Sequence, residues 1–595
     1  MKRKNINIKL GRDFSSRILI FKIFIIFAYV LLLMRLMYIQ IYKGEYYSKL
    51  SQNNRVRIRR IDAPRGKIYD RNGILLATNV AGYRLAYLNG RIYNDEILAS
   101  ISDLIGLDKD LIETRIKNGE IHRFTGENIL IDDLEMEKAH KIMEQLLDYP
   151  YLSVMPYSKR HYVYDDFASQ TLGYVKPITR EEYERLKDKG YTQRSIIGKS
   201  GIERKYDEMF QGKDGYEYIE VNAYNRIVKN ISNVEAVEGS NIYLTIDYKL
   251  QKHMTDIYKE RNKTGSFIAM NAKTGEIITI LSSPEYSLNK FSSRFTNEEW
   301  DAIVNDPKKP LLNRTITSVF APGSVFKVIP AMAFLESGID PEEEFFDPGY
   351  YKIGNYTYRS WRRWGHGNVN LNKSLMESAN VYYYNLADKI GHEKILEVAD
   401  NMGIGKLTGI DLNEERPGLL PSDQWKRNRL GERWYRGDTM NLTIGQGGLQ
   451  VTSLQILNLY AIFANRGISY RPFLVKEIVD SRGNIKKTEP EILTKYKGKT
   501  EYFDLINKGL LSVVEGKTGT GRVMRTENVR VAAKTGSAQN QGELTHAWVA
   551  GFFPYEDPEI VFVAFVEEGG GGSGVAAPIA KEFVDKYIEL YMEKN

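Results

Sequence analysis

Ser324 and Lys327 stand three residues apart in Ala321-Pro322-Gly323-Ser324-Val325-Phe326-Lys327, a spacing that puts a hydroxyl and an amine on one face of a helix. A serine hydroxyl is a poor nucleophile until a neighbouring base takes its proton, and a desolvated lysine can serve as that base. Pro322 and Gly323 in front, and the apolar run 325–335 behind, predict that Ser324 opens a helix, where a free backbone N–H helps to bind an oxyanion. Alone the pattern is weak, because S-x-x-K arises by chance in most long chains and an ordinary capped helix accounts for it too. Pro330 lies inside the run, and the sequence leaves open whether it bends the helix.

Two further motifs offer complementary chemistry. Ser378-Ala379-Asn380 follows a helical stretch at 372–377, so a hydroxyl and an amide project from one tight turn. Ser378 is placed to relay a proton to a leaving amine, and Asn380 to hold a substrate amide. A cap or turn is the common structural use of these residue types. K-T-G occurs three times. Lys273-Thr274-Gly275 falls in a predicted hairpin turn, Lys517-Thr518-Gly519 in a glycine-rich loop, and Lys534-Thr535-Gly536 continues from a predicted strand at 529–533. Only the third is offered on a strand, where Gly536 lets a ligand lie close against the backbone. Lys534 and Thr535 are then expected to bind a substrate carboxylate, and the Ser537 N–H to complete an oxyanion hole.

The elements that must position these groups are legible in outline. Strands at 267–270 and 276–281 flank the first K-T-G as a hairpin, amphipathic helices follow, and strands return at 530–533, 548–553 and 560–566. An early hairpin, central helices and late strands predict an α+β domain whose antiparallel sheet joins both ends of the segment. The tract Gly569-Gly570-Gly571-Gly572-Ser573-Gly574 reads as a flexible connection to a last helix at 577–592.

At 595 residues the chain is too long for one core, and 42% hydrophobic residues argue against general disorder. The net charge is +7, but residues 1–17 hold six Lys and Arg against one Asp, leaving about +2 for the remainder. A long basic groove for nucleic acid is therefore not expected. The absence of cysteine excludes thiol catalysis, thiolate metal sites and disulfides. Residues 18–39 are apolar save for Lys22, Arg35 and two tyrosines, enough to cross a bilayer as a helix. Basic residues in front predict a cytoplasmic N-terminus, and Met34-Arg35-Leu36-Met37-Tyr38 offers no small-residue cleavage site, so an uncleaved anchor is expected. The reading is a basic tail (1–17), a transmembrane anchor (18–40), a charged, tyrosine-rich region without a catalytic constellation (41–238), and the motif-bearing domain (239–595).

Taken together and in this order, S-x-x-K, S-x-N and K-T-G resemble the set shared by penicillin-binding proteins and class A β-lactamases. Along nearly its whole length the chain resembles class B penicillin-binding proteins, the elongation type in particular. Pro64-Arg65-Gly66-Lys67-Ile68-Tyr69-Asp70-Arg71-Asn72-Gly73 and Gly198-Lys199-Ser200-Gly201-Ile202-Glu203 are similar to two motifs of the family's non-catalytic pedestal. Trp364-Gly365-His366-Gly367, Gly437-Asp438-Thr439 and Ile444-Gly445-Gln446-Gly447 are similar to the elongation type. The resemblance implies a penicillin-binding transpeptidase fold, an antiparallel sheet flanked by helices, with an elongated α+β dimerisation-type pedestal and one transmembrane helix.

It further implies a peptidoglycan D,D-transpeptidase of cell elongation. Ser324 would attack the penultimate D-alanine carbonyl of a stem peptide, with Lys327 as base, and the acyl-enzyme would pass to a neighbouring stem's amine. β-Lactams would acylate the same serine. The implied partners are a SEDS-type (RodA-like) glycosyltransferase and elongation-complex proteins, and the implied location is the inner (cytoplasmic) membrane, with the catalytic domain outside. Some elongation-type relatives hold zinc with two aspartates, a histidine and a cysteine. Here Asp347 and His366 match, but Ser360 and Ala379 stand at the other two positions, so no metal or other cofactor is expected.

A D,D-carboxypeptidase or β-lactamase shares the motifs but delivers the acyl group to water, and the pedestal and anchor disfavour both. A catalytically silent activator or scaffold of a partner glycosyltransferase predicts decayed motifs, whereas all three stand intact. A G-x-S-x-G hydrolase is disfavoured because Pro322 and Phe326 occupy the glycine positions, and the seven histidines include no H-x-x-x-H pair.

Overall fold

The computed structural model describes residues 11–46, 56–88, 94–118, 127–149, 151–221, 227–293, 295–540, 542 and 544–593. Most of the basic tail, residues 1–10, lies outside the described residues. By their contacts the described residues group into two compact units, one of 1–62, 82–157 and 214–236, the other of 63–81, 158–213 and 237–595.

The larger unit is built on a five-stranded antiparallel sheet. Strands β1 (Gly265–Asn271) and β2 (Ile277–Ser283) form the expected hairpin. The Asn271 side chain accepts from the N–H groups of Lys273 and Thr274 at 2.9 and 3.1 Å, which makes the first K-T-G an Asx turn. Strands β3 (Ala532–Ala538), β4 (His546–Phe553) and β5 (Ile560–Val566) return from the end of the chain, giving the order β2-β1-β5-β4-β3. The third K-T-G lies within β3, at the sheet's edge.

β5 shows why the sheet is buried on both faces. Val561, Val563 and Phe565 join one apolar cluster, and Ile560, Phe562, Ala564 and Val566 another, as a period of two requires. The second cluster is closed by helices α1 (Tyr248–Glu260) and α6 (Ala577–Tyr591), through Leu250, Met254 and Tyr258 of α1 and Ala580, Val584 and Ile588 of α6. Their spacing of three or four residues makes one apolar stripe on each helix. The first cluster is closed by α5 (Ser453–Ala464), all twelve of whose residues are buried. Each fully buried large apolar side chain stabilises by about 1.5–3 kcal/mol, so this double-faced burial is the main source of rigidity behind β3.

The same unit takes in residues from far earlier in the chain. Ile68–Tyr69 pairs in parallel with Asn241–Leu244, which also pairs with Val475–Val479. Arg65 and Arg160 bracket Glu203, at 2.6 and 2.7 Å, and Arg65 also meets Asp207 at 2.7 Å. Both arginines and both carboxylates are buried, so the first and second pedestal-type motifs are tied by an internal ion cluster.

In the smaller unit, helix Gly11–Met37 runs about 40 Å at 1.5 Å per residue. Within it and the turn that follows, 17–42 include an 18-residue stretch of mean hydropathy 2.5, none of it buried, and are long and apolar enough to cross a membrane. Among the described residues it is the one helix of that kind. This unit also holds an antiparallel sheet of Val56–Ile61, Gly215–Val221 and Ile227–Val234, and a separate core around Leu85, Ile101, Leu130 and Ile142.

Candidate active site

Ser324 lies in a 3-10 turn, Gly323–Lys327, and the α-helix α2 (Val328–Glu336) begins only after it. The predicted continuous helix is thus split, and Pro330 falls in the first turn of α2, where its missing N–H has no intrahelical acceptor to satisfy. Ser324 stays partly exposed while Val325, Phe326 and Lys327 are buried. The turn is held from behind by Ile444-Gly445-Gln446-Gly447, for the Gly323 N–H donates to the Gly445 carbonyl at 2.9 Å.

Lys327 is completely buried, and its amine reaches across to the S-x-N residues. Nζ lies 2.8 Å from the Ser378 carbonyl, 3.3 Å from the Ser378 hydroxyl and 2.7 Å from Asn380 Oδ1. Among the described residues none of its hydrogen bonds runs to Ser324, the contact that the i, i+3 spacing suggests. The physical reason is competition, since three oxygens from the facing turn already surround the amine. Burial, and next the positive charge of Lys534, hold Lys327 well below the ordinary lysine range, with Asp347 opposing.

Ser378 joins two helices, α3 (Leu371–Met376) and α4 (Asn380–Ile390), and takes φ +57°, a left-handed conformation uncommon outside glycine. The Ala379 N–H donating to the Ser374 carbonyl at 3.1 Å helps to hold it there. That backbone turns both the Ser378 carbonyl and the Ser378 hydroxyl toward Lys327, and Asn380, as the first residue of α4, adds its amide.

On β3, Lys534 and Thr535 are buried and Ser537 is exposed. Lys534 Nζ donates to the Thr535 carbonyl at 3.2 Å, and burial pushes its amine down to about 7. Gly536 is the point of closest approach. A Cβ there would stand 3.1 Å from both the Pro322 carbonyl oxygen and a Val325 methyl, so the turn carrying Ser324 packs directly on the strand. The structure therefore brings Ser324, Lys327, Ser378, Asn380, Lys534, Thr535, Gly536 and Ser537 into one cleft.

Two parts of that cleft escaped the sequence reading. The second K-T-G is a loop, as expected, yet it lines the site: Thr518 donates to Glu377 Oε1 at 2.7 Å, and the Thr520 hydroxyl lies 2.7 Å from that of Thr535. The glycine tract is the other. Far from a flexible connection, it is pinned beneath β3, with the Gly570 N–H donating to Thr545 and the Gly572 N–H donating to Ser537 Oγ at 3.2 Å. A Cβ on Gly572 would lie 2.3 Å from the Gly536 carbonyl oxygen and 2.4 Å from that of Trp548. Glycine is needed there for close approach, not freedom. The only available signal was that the tract follows directly on a buried strand.

Beside the S-x-N turn, His366 Nδ1 meets Asp347 Oδ2 at 2.6 Å, and Ser360 Oγ stands 3.5 Å from both. Asp347 Oδ1 already accepts from the Gly349 N–H at 2.7 Å, and Ala379 contributes no donor atom. Among the described residues no three His, Cys, Asp or Glu side chains gather closely enough to hold a metal ion. These residues suit a hydrogen-bonded cluster and do not fit a closed zinc site.

A family model for the penicillin-binding protein transpeptidase domain matches residues 265–585, and one for the penicillin-binding protein dimerisation domain matches 60–244. The peptidoglycan D,D-transpeptidase MrdA of Haemophilus influenzae is 32% identical over 585 residues, 92% of this chain and 88% of that protein. Penicillin-binding protein PBP2 of Helicobacter pylori, solved in complex with MreC, superposes with a TM-score of 0.80 at 28% identity, covering 90% of this chain and all of that one. Pseudomonas aeruginosa PBP2, solved in complex with WCK 5153, gives 0.68 at 28% identity over 89% of this chain and 96% of that one. The chain belongs to the penicillin-binding protein transpeptidase family.

Proposed function

We propose that this chain is a peptidoglycan D,D-transpeptidase of cell elongation, with Ser324 as nucleophile. The observation that carries the assignment is the Lys327 amine, buried and shared between Ser378 and Asn380, behind a Ser324 turn packed on Gly536 and Ser537. The amine donates to the Ser378 hydroxyl at 3.3 Å and to Asn380 Oδ1 at 2.7 Å, and in its neutral form it keeps a lone pair for a further proton. The Ser324 proton passes to this base as Ser324 Oγ attacks the penultimate D-alanine carbonyl. The oxyanion is held by the backbone N–H groups of Ser324 and Ser537. Ser378 delivers its hydroxyl proton to the leaving nitrogen as the C–N bond breaks and D-alanine departs, and takes the proton of the Lys327 ammonium in its place, which leaves Lys327 neutral again. A neighbouring stem's amine then attacks the ester carbonyl, Lys327 takes the proton it sheds, and that proton passes to Ser324 Oγ as the ester C–O bond breaks and the cross-linked product leaves. Lys534 and Thr535 bind the terminal carboxylate of the donor stem, and Asn380 its amide.

The apolar N-terminal helix supports a single-pass anchor in the cytoplasmic membrane, with residues 1–17 cytoplasmic and the catalytic part outside. Residues 41–238 serve as the pedestal and 239–595 as the transpeptidase domain. Likeness to PBP2 solved with MreC, and to a protein solved in a peptidoglycan synthase complex, supports elongation-complex partners, among which we place a SEDS-type glycosyltransferase. The test is labelling of the full-length chain in detergent by a fluorescent penicillin. Stable labelling that Ser324→Ala abolishes is expected, and labelling that survives the substitution would refute Ser324 as the nucleophile.

A further inference from the structure

Thr520 touches both walls of the cleft. Its backbone N–H donates to the Met376 carbonyl at 3.2 Å, two residues before Ser378, and its hydroxyl lies 2.7 Å from that of Thr535 on the opposite wall. The loop around it is held in place: the Gly521 N–H donates to the Val513 carbonyl at 2.9 Å, and Thr518 ties to Glu377. Thr535 is buried, 5% exposed, so the direction of its single proton is set by its immediate partners. If Thr535 donates to Thr520, only lone pairs face an incoming anion. If Thr520 donates, the Thr535 proton is left for the anion, and a negative charge beyond Thr535 favours that polarity of the chain.

Building on the acyl-transfer reading, we propose that Thr520 is a positioning residue. Its hydroxyl donates to Thr535 and aims the Thr535 proton at the carboxylate of the stem peptide or β-lactam. Thr520 itself does not touch the substrate, so its effect must depend on Thr535 and on the ligand's negative charge.

The test measures second-order acylation of the full-length chain by a fluorescent penicillin and by the methyl ester of its carboxylate. Removing a hydrogen bond to a charged group predicts that Thr520→Val slows the acid by about 10- to 100-fold. The ester is expected to slow by less than about threefold, Thr520→Ser to restore the acid's rate, and Thr520→Val to add nothing in a Thr535→Val background. Equal slowing of acid and ester, an unchanged rate for the acid, or a serine variant as slow as valine would each overturn the role. Thr520→Ala carries the same comparison should valine fail to fold. Ser324→Ala is run alongside, and labelling that persists there removes the acyl-transfer reading itself, and the role of Thr520 with it.

Discussion

Lys327 and Lys534 are both sealed from water and both pushed toward the neutral form, yet the proposed reaction asks opposite states of them. A base must be neutral, whereas a carboxylate is best held by a cation. Since Lys534 falls to about 7, the rate of acylation against pH should decline above that value as its charge is lost. Lys534→Arg, which cannot deprotonate, should abolish that falling limb, and Lys327→Met should cost about 10²–10⁴-fold at every pH. Glu285 offers a second titration, away from the cleft. Its carboxyl oxygens are hidden from solvent, and burial pushes it from 4.5 to about 8. The folded state then holds a proton that the unfolded state has lost, so stability is full below about 4.5 and declines as pH rises toward 8. Within that window the slope approaches ~1.4 kcal/mol per pH unit, and thermal melting of Glu285→Gln should show it removed. The motif residues could be picked out in the sequence because each chemistry demands its own side-chain type. Thr520 and Glu377 could not, since a threonine or a glutamate becomes informative only beside Thr535 or Thr518.

At the scale of elements, the cleft depends on backbones in close contact. The 3-10 turn at Ser324 lies on β3, and the turn at Gly572 supports β3 from another side. Gly572→Ala should therefore destabilise by about 1–3 kcal/mol through overpacking, and displace Gly536 enough to slow penicillin labelling. Gly574→Ala is the control, because nothing lies within 4 Å of a Cβ there. The sequence marked both glycines alike. Composition distinguishes a glycine that is free from one that is crowded only when the neighbouring strand is known. The left-handed Ser378 is a similar case, since its neighbours in sequence carry no signal for φ +57°.

For the molecule as a whole, the ion cluster of Arg65, Arg160, Glu203 and Asp207 ties Arg65 to carboxylates more than a hundred residues further along the chain. Glu203→Ala would leave two buried guanidinium groups without their shared carboxylate, a loss of about 3–5 kcal/mol by melting in detergent. Residues 63–81 also pack with 237–595: Asp70 Oδ2 accepts from the Tyr248 N–H at 3.1 Å, and Ile68–Tyr69 pairs with the strand at Asn241–Leu244. A chain cut to 239–595 should accordingly melt well below one beginning at residue 56.

The sequence alone determined the candidate site side chains, the apolar N-terminal helix and the α+β order of elements, because these follow from residue type, hydropathy and local periodicity. Tertiary structure decided the rest. It directed the Lys327 amine to Ser378 and Asn380 instead of Ser324, drew the second K-T-G into the site, and turned the glycine tract into a support for β3. Each of these depends on which distant backbone fills the neighbouring space. Close packing sets that, and a local pattern of residues does not encode it.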